Sequence, residues 1–276
     1  MGERDAAKRR DGAMSFEKQW RRFQKDWKRG RYKRQAQVVC AAAGIVCIAA
    51  IGVYFLRGAE SEKAVDELRD RKEAALGTED GEETGVVGNV LPEYQDLFLE
   101  NPDLVGWVTI EGTSVDYPVM WTPEDPEYYS HRGFDKEDSP NGLLFMDADS
   151  MLDAEGGNVI IYGHNMKNGS MFADLLKYEE QEYYQAHPTI RLDTLYEHRD
   201  YEIVSVLKTN EIEKLPFSFT QPGDSDEAEV LNNLKQEALY DTGKSAQAGD
   251  DLLTLATCDY SSADGRLVVT ARRVAQ

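Results

Sequence analysis

Cys258 closes an apolar run, Thr254-Leu255-Ala256-Thr257-Cys258, and it is the only cysteine among residues 57–276. A lone thiol cannot make an internal disulfide, so its reactivity is the property to explain. Beyond it the chain turns polar (Asp259 to Gly265), so a strand end could hold the backbone still while the thiol faces solvent. Arg266 opens the next apolar run, and a seven-residue connection returns it toward Cys258. A guanidinium there could hydrogen-bond the oxyanion of a tetrahedral intermediate or hold a substrate backbone. Four histidines are candidate partners. His131 and His198 lie in charged stretches, and His187 precedes Pro188. His164 ends an apolar run, Ile160-Ile161-Tyr162-Gly163-His164, with a glycine placed for a tight turn. An imidazole near a thiol lowers the thiol pKa and can hand a proton to a leaving amine. The three residues together offer nucleophilic cysteine chemistry. An inert buried thiol and a plain surface arginine are the competing readings. Scattered histidines and one cysteine give no ligand spacing, so neither metal nor cofactor is expected.

The elements that must position these groups have period two. Short apolar and β-branched runs occupy Val105–Ile110, Ser114–Met120, Leu143–Asp147, Asn158–Tyr162, Thr189–Leu192, Tyr201–Lys208, Leu252–Thr257 and Leu267–Val274. Without βαβ alternation they predict an antiparallel sandwich or barrel. Helical patterns cover Pro92–Leu99, about Ser170 to Ala186, and about Ser225 to Tyr240.

The N-terminal part is of another kind. Val38 to Leu56 holds no charged side chain over 19 residues, enough for a helix to cross a bilayer at about 1.5 Å per residue. A 37-residue leader favours an uncleaved anchor over a cleaved secretory signal. Residues 1–37 hold 13 Lys and Arg against 5 Asp and Glu, whereas residues 57–276 hold 18 against 46. The positive-inside rule then places the N-terminus in the cytoplasm and the C-terminal 220 residues outside, anchored at the cell membrane by a single pass. Trp20, Phe23 and Trp27, interleaved with basic residues, suit an anionic inner leaflet, and nucleic acid is disfavoured as a partner. Cys40 and Cys47 read as apolar packing residues of the span, with acylation of Cys40 as the alternative. The expected organisation is a basic leader (1–37), a span (38–56), a polar stalk and flexible linker (57–88) and a catalytic domain (89–276).

The segment Thr254 to Tyr260 (TLATCDY), the arginine eight residues after the cysteine, and Ile160 to Met166 (IIYGHNM) resemble the sortase signature. In that signature a TLxTC strand and a downstream arginine meet an upstream histidine. Asn101 to Met120, Asn141 to Asp149, Ile160 to Tyr178 and the helix-bearing insert before the cysteine run resemble class B sortases in particular. The resemblance implies a mainly β fold: a closed eight-stranded barrel with peripheral helices, here preceded by one transmembrane helix. It implies a cysteine transpeptidase of Gram-positive bacteria acting on secreted proteins that bear a C-terminal sorting signal, similar to Leu/Asn/Ser-Pro-x-Thr-Gly/Asn. Cys258 would cleave after the threonine and form a thioester. An amine of a peptidoglycan cross-bridge, or of its lipid-linked precursor, would resolve it. His164 would protonate the leaving amine and deprotonate the incoming one, and Arg266 would stabilise the oxyanion or position the threonine carbonyl. Tyr162, Ala256 and Thr257 would line the substrate groove, or simply pack. A pilin polymerase, a hydrolytic surface cysteine protease and an anchored binding module are the rival functions.

Overall fold

The eight runs become eight strands that close on themselves. In the computed structural model, residues 16–30, 33–77, 88–210, 219–224, 226–259 and 265–274 are described. Strands β1 (Leu104–Thr109), β2 (Asp116–Met120), β3 (Leu144–Met146), β4 (Asn158–Gly163), β5 (Thr189–Thr194), β6 (His198–Thr209), β7 (Leu252–Cys258) and β8 (Arg266–Arg273) form a barrel in the order β1-β2-β3-β4-β7-β8-β6-β5. The expectation of a wholly antiparallel sheet needs correction, because β2–β3 and β4–β7 are parallel pairs. Parallel neighbours require long crossovers, and here these are residues 121–143 and everything between β4 and β7.

Alternation along the strands sends side chains to two cores. Leu253 and Leu255 of β7 join Leu267 and Val269 of β8 in the main core, while Leu252 and Val268 face a second one. That second core, with Leu207, Phe219, Val230 and Leu234, lies beneath α5 (Glu227–Gln236). Both faces of these strands are therefore covered, which explains why β7 is buried from Leu252 to Thr257.

Five α-helices are described: α1 (Phe16–Lys28), α2 (Lys33–Leu76), α3 (Pro92–Glu100), α4 (Gln181–Ala186) and α5. The helix expected across Ser170 to Ala186 is split into a 3₁₀ stretch, Phe172–Glu179, and α4, because Glu180 between them is extended. α5 is shorter than expected; past it, the Leu239 N–H bonds to the Val206 carbonyl of β6.

The chain divides into two compact units, Met1–Phe55 and Leu56–Gln276. α2, which runs from the first into the second, is long and apolar enough to cross a membrane, and none of its apolar window is buried. The polar continuation of α2, expected as a stalk, instead packs on the barrel. Val65 and Leu68 are buried in the main core. Arg69 Nε donates to the Asp116 carbonyl (2.7 Å), and Lys72 Nζ lies 2.8 Å from Asp116 Oδ1 and 4.2 Å over the Trp107 ring. Sequence reading misses this because the segment is mostly charged, and only a narrow apolar stripe docks. Residues 78–87, expected as a flexible linker, lie outside the described residues.

Asp116 is the hub of this docking. Burial would raise its carboxyl, but donors from Lys72, Trp107 and Thr109 hold it below the usual carboxylate range. Asp116→Asn should cost about 1–3 kcal/mol, since the cations and the indole N–H lose a charged acceptor. With a depressed folded pKa, the contribution is present above the ordinary carboxylate value and lost as pH falls through the lower one. Urea denaturation at neutral and acid pH should show the wild-type advantage shrinking on acidification; a pH-independent gap would refute the assignment.

Candidate active site

Three neighbouring strands bring the predicted residues together. β4 and β7 run parallel with Tyr162 opposite Ala256 and Gly163 opposite Thr257, so the next residues, His164 and Cys258, emerge at the same rim. On the other side of β7, Cys258 pairs directly with Arg266 of β8. The rim is tied together at several points. Thr257 Oγ1 donates to the Gly163 carbonyl (2.8 Å), Asn165 Nδ2 to the Cys258 carbonyl (3.2 Å), and the Asp259 N–H to the Gly265 carbonyl (2.8 Å). Gly163 is required here, because a Cβ would lie 2.6 Å from the Phe172 ring and still nearer Leu144. A cleft of about 470 Å³ opens at this rim, and Tyr162, His164, Ala256, Thr257, Cys258 and Arg266 all line it.

The opposite wall comes from the β2–β3 crossover, and sequence reading did not assign it. Ser130 and His131 lie in the 3₁₀ turn Tyr128–His131 and also line the cleft. His164 Nε2 is 2.7 Å from the Ser130 carbonyl oxygen. A carbonyl only accepts, so Nε2 carries a proton and Nδ1 is the nitrogen left for proton transfer. The His131 ring stacks on His164 at 5.5 Å between centroids and 20° between planes. Gly142 lets this wall sit close: at φ +60°, a Cβ there would be 2.7 Å from the Tyr129 carbonyl oxygen and would collide with that of Ser130. α2 braces the same segment, with Asn141 Nδ2 donating to the Gly58 carbonyl (3.2 Å) and Ser139 Oγ 3.0 Å from Ser61 Oγ. His131 was passed over in the sequence because its neighbours are charged; nothing local signals that the crossover returns it to His164.

Burial holds the His164 imidazole below the ordinary histidine value. The nearby His131 adds to this, and the bond to Ser130 works against it. A histidine harder to protonate when folded makes stability fall as pH drops from the ordinary histidine value toward the lower folded one. His164→Gln should therefore flatten the loss of urea midpoint between neutral pH and about pH 5. If the variant declines as steeply as the wild type, His164 is not the titrating group.

Both the sequence and the fold have known relatives. The family model described as Sortase domain matches residues 108–274. The Sortase B of Listeria monocytogenes is 33% identical over 229 residues, covering 81% of this chain and 89% of that protein. This chain belongs to the class B sortases. The B. anthracis sortase B in complex with AAEK1 superposes with a TM-score of 0.69 at 32% identity, covering 80% of this chain and all of that one. A Staphylococcus aureus sortase B–substrate complex superposes with a TM-score of 0.68 at 26% identity, covering 79% and 98% of the two chains. A sortase B complexed with triglycine gives the same TM-score and identity, with 78% and 97% covered. Membership makes this protein a cysteine transpeptidase built on a closed eight-stranded barrel.

The groove residues expected in this class B sortase differ in how free they are. Tyr162 donates its hydroxyl to Asp147 Oδ2 (2.9 Å) and tilts against Phe145 at 5.5 Å. Burial, with the Asp147 charge, pushes its phenol pKa well up, so it stays a neutral donor. Thr257 is 2% exposed and spends its hydroxyl on Gly163, and Ala256 is as deeply buried. Both line the cleft with little free polar surface. Asp259 is buried and paired with Lys208 Nζ at 2.8 Å, which holds the residue next to the cysteine.

Proposed function

We propose that this class B sortase cleaves a C-terminal sorting signal, similar to Asn-Pro-x-Thr-Asn or Leu-Pro-x-Thr-Gly, after its threonine and transfers the protein to a peptidoglycan amine. The observation that carries the reading is the register: Cys258 faces Arg266 across β7–β8, and His164 leaves β4 beside them at one cleft. The Cys258 thiol passes its proton to His164 Nδ1, and the sulfur attacks the threonine carbonyl carbon. Arg266 donates to the oxyanion, the C–N bond breaks, and the leaving amine takes a proton from His164. The resulting thioester is attacked by an amine of the cross-bridge or its lipid-linked precursor, which gives a proton to His164 as the C–S bond breaks. Cys258 is regenerated and no cofactor takes part. Tyr162, Ala256 and Thr257 bound the groove that seats the signal.

We assign the apolar part of α2 as the membrane span, with residues 1–37 on the cytoplasmic side and the barrel outside, as the charge asymmetry supports. Holding enzyme, secreted substrate and lipid-linked acceptor at one surface raises their effective concentrations. The test uses the full chain in detergent with quenched pentapeptides of both signal types, with and without oligoglycine. An amine-linked product that depends on Cys258 supports transfer. Cleavage indifferent to added amine would make the protein a hydrolytic protease, and a product formed only with a pilin lysine would make it a pilin polymerase.

A further inference from the structure

The helix α1 plays no part in the chemistry above, and its surface is sharply divided. Phe16, Trp20, Phe23 and Trp27 recur at i, i+4, i+7 and i+11, which a helical period of about 3.6 residues gathers onto one face. Their rings form a continuous row, with centroids 6.4, 5.6 and 5.8 Å apart in turn. No residue of the helix is buried, and these four are 44–80% exposed. By the same period, Lys18, Arg21, Arg22, Lys25 and Lys28 fall on the opposite face, while Glu17 and Asp26, the acids of the helix, fall at the borders. Gly30, at φ +76°, ends the helix with its N–H on the Trp27 carbonyl (3.0 Å), and α2 begins three residues later at Lys33.

We propose that α1 is an interfacial helix that lies on an anionic phospholipid surface, a membrane attachment separate from the span. This rests on reading α2 as membrane-spanning. The short connection then keeps α1 within reach of the headgroups, where tryptophan and phenylalanine partition favourably. The excess of basic over acidic side chains selects anionic over zwitterionic lipid, and the separation of aromatic and basic faces matches a planar interface better than a nucleic-acid strand, on which both would be mixed.

The test uses the full chain reconstituted in vesicles of brominated phosphatidylcholine, alone or mixed with phosphatidylglycerol, reading quenching of tryptophan emission. The protein has four tryptophans, Trp20, Trp27, Trp107 and Trp121, and none lies in 38–56. A Trp20→Phe/Trp27→Phe variant keeps an aromatic face and reports the background of the barrel. The wild type should be quenched beyond that background, and omitting phosphatidylglycerol should remove roughly half of the excess or more. Replacing Lys18, Arg21, Arg22 and Lys25 with Gln should abolish the dependence on phosphatidylglycerol. Quenching no greater than background, in protein that resists alkaline extraction, would overturn the interfacial helix and leave the span standing. Release of the protein on alkaline extraction would overturn both. An excess equal in the two lipids, or one abolished by a single-stranded oligonucleotide, would overturn the anionic-lipid assignment.

Discussion

Cys258→Ala will abolish amine-dependent cleavage of a sorting-signal peptide, with a loss of at least about a thousandfold, while the barrel keeps its stability. The first half follows from the chemistry proposed. Without the sulfur there is no covalent intermediate, and the oxyanion donor and proton-transfer group are left with only water to activate. The second half follows from position. Cys258 is the last residue of β7 and is only partly buried, whereas the side chains that hold the strand, Leu253 and Leu255, are inside the main core. Removing a sulfur at the rim creates no enclosed cavity, so the change in unfolding free energy should stay within about 1 kcal/mol. Mass spectrometry of the quenched reaction gives an independent reading: a thioester adduct on the wild type, none on the variant. Undiminished cleavage by the alanine variant would remove Cys258 from the mechanism.

Arg266→Ala should lower kcat/KM by about a hundredfold to a thousandfold, the size expected for one oxyanion donor at a preorganised site. Arg266→Lys should recover little of it, because an ammonium lacks the planar fork that can reach an oxyanion and a neighbouring carbonyl together. The residue is partly buried at the start of β8, directly across from Cys258, and its Nη1 donates to the Gly265 carbonyl at 3.0 Å. That contact gives Arg266 a structural duty as well, and thermal unfolding separates the two. If both variants melt near the wild type and still lose activity, the guanidinium acts on the reacting atoms. If Arg266→Lys is as active as the wild type, a bidentate role is excluded.

How much of this was legible beforehand depends on whether the signal is local. Strand ends were readable because an apolar run stopping at a polar segment is visible in a few residues, and this singled out His164, Cys258 and Arg266, which line one cleft. The nearness of His164 to Cys258 was not local information: it depends on β4 and β7 being adjacent and parallel, which no alternation pattern encodes. The same holds for Ser130 and His131, delivered to the cleft by a crossover whose own sequence reads as a charged loop. The packed half of α2 escaped notice for a different reason. Beyond Val65 and Leu68, its attachment is carried by Arg69 and Lys72, whose aliphatic stems and charges meet Trp107, Tyr117 and Asp116, so composition alone suggested a solvated rod.

The pairing of β4 with β7 also bears on how the protein comes to be active. Val159 sits beside Leu253, and β1 meets β5 with Gly106 beside Thr194, so closure of the barrel depends on contacts between distant parts of the chain. β7 enters between β4 and β8, and β8 between β7 and β6, so the hairpin carrying the thiol and the guanidinium is the wedge that completes the ring. Such topology folds slowly, on the order of milliseconds to seconds, because the entropy of long loops is lost before their contacts form. Until the hairpin is seated against β4, Cys258 has Arg266 across from it but not His164 beside it. An incompletely folded chain therefore carries a thiol without the histidine, and the two meet only when β7 pairs with β4.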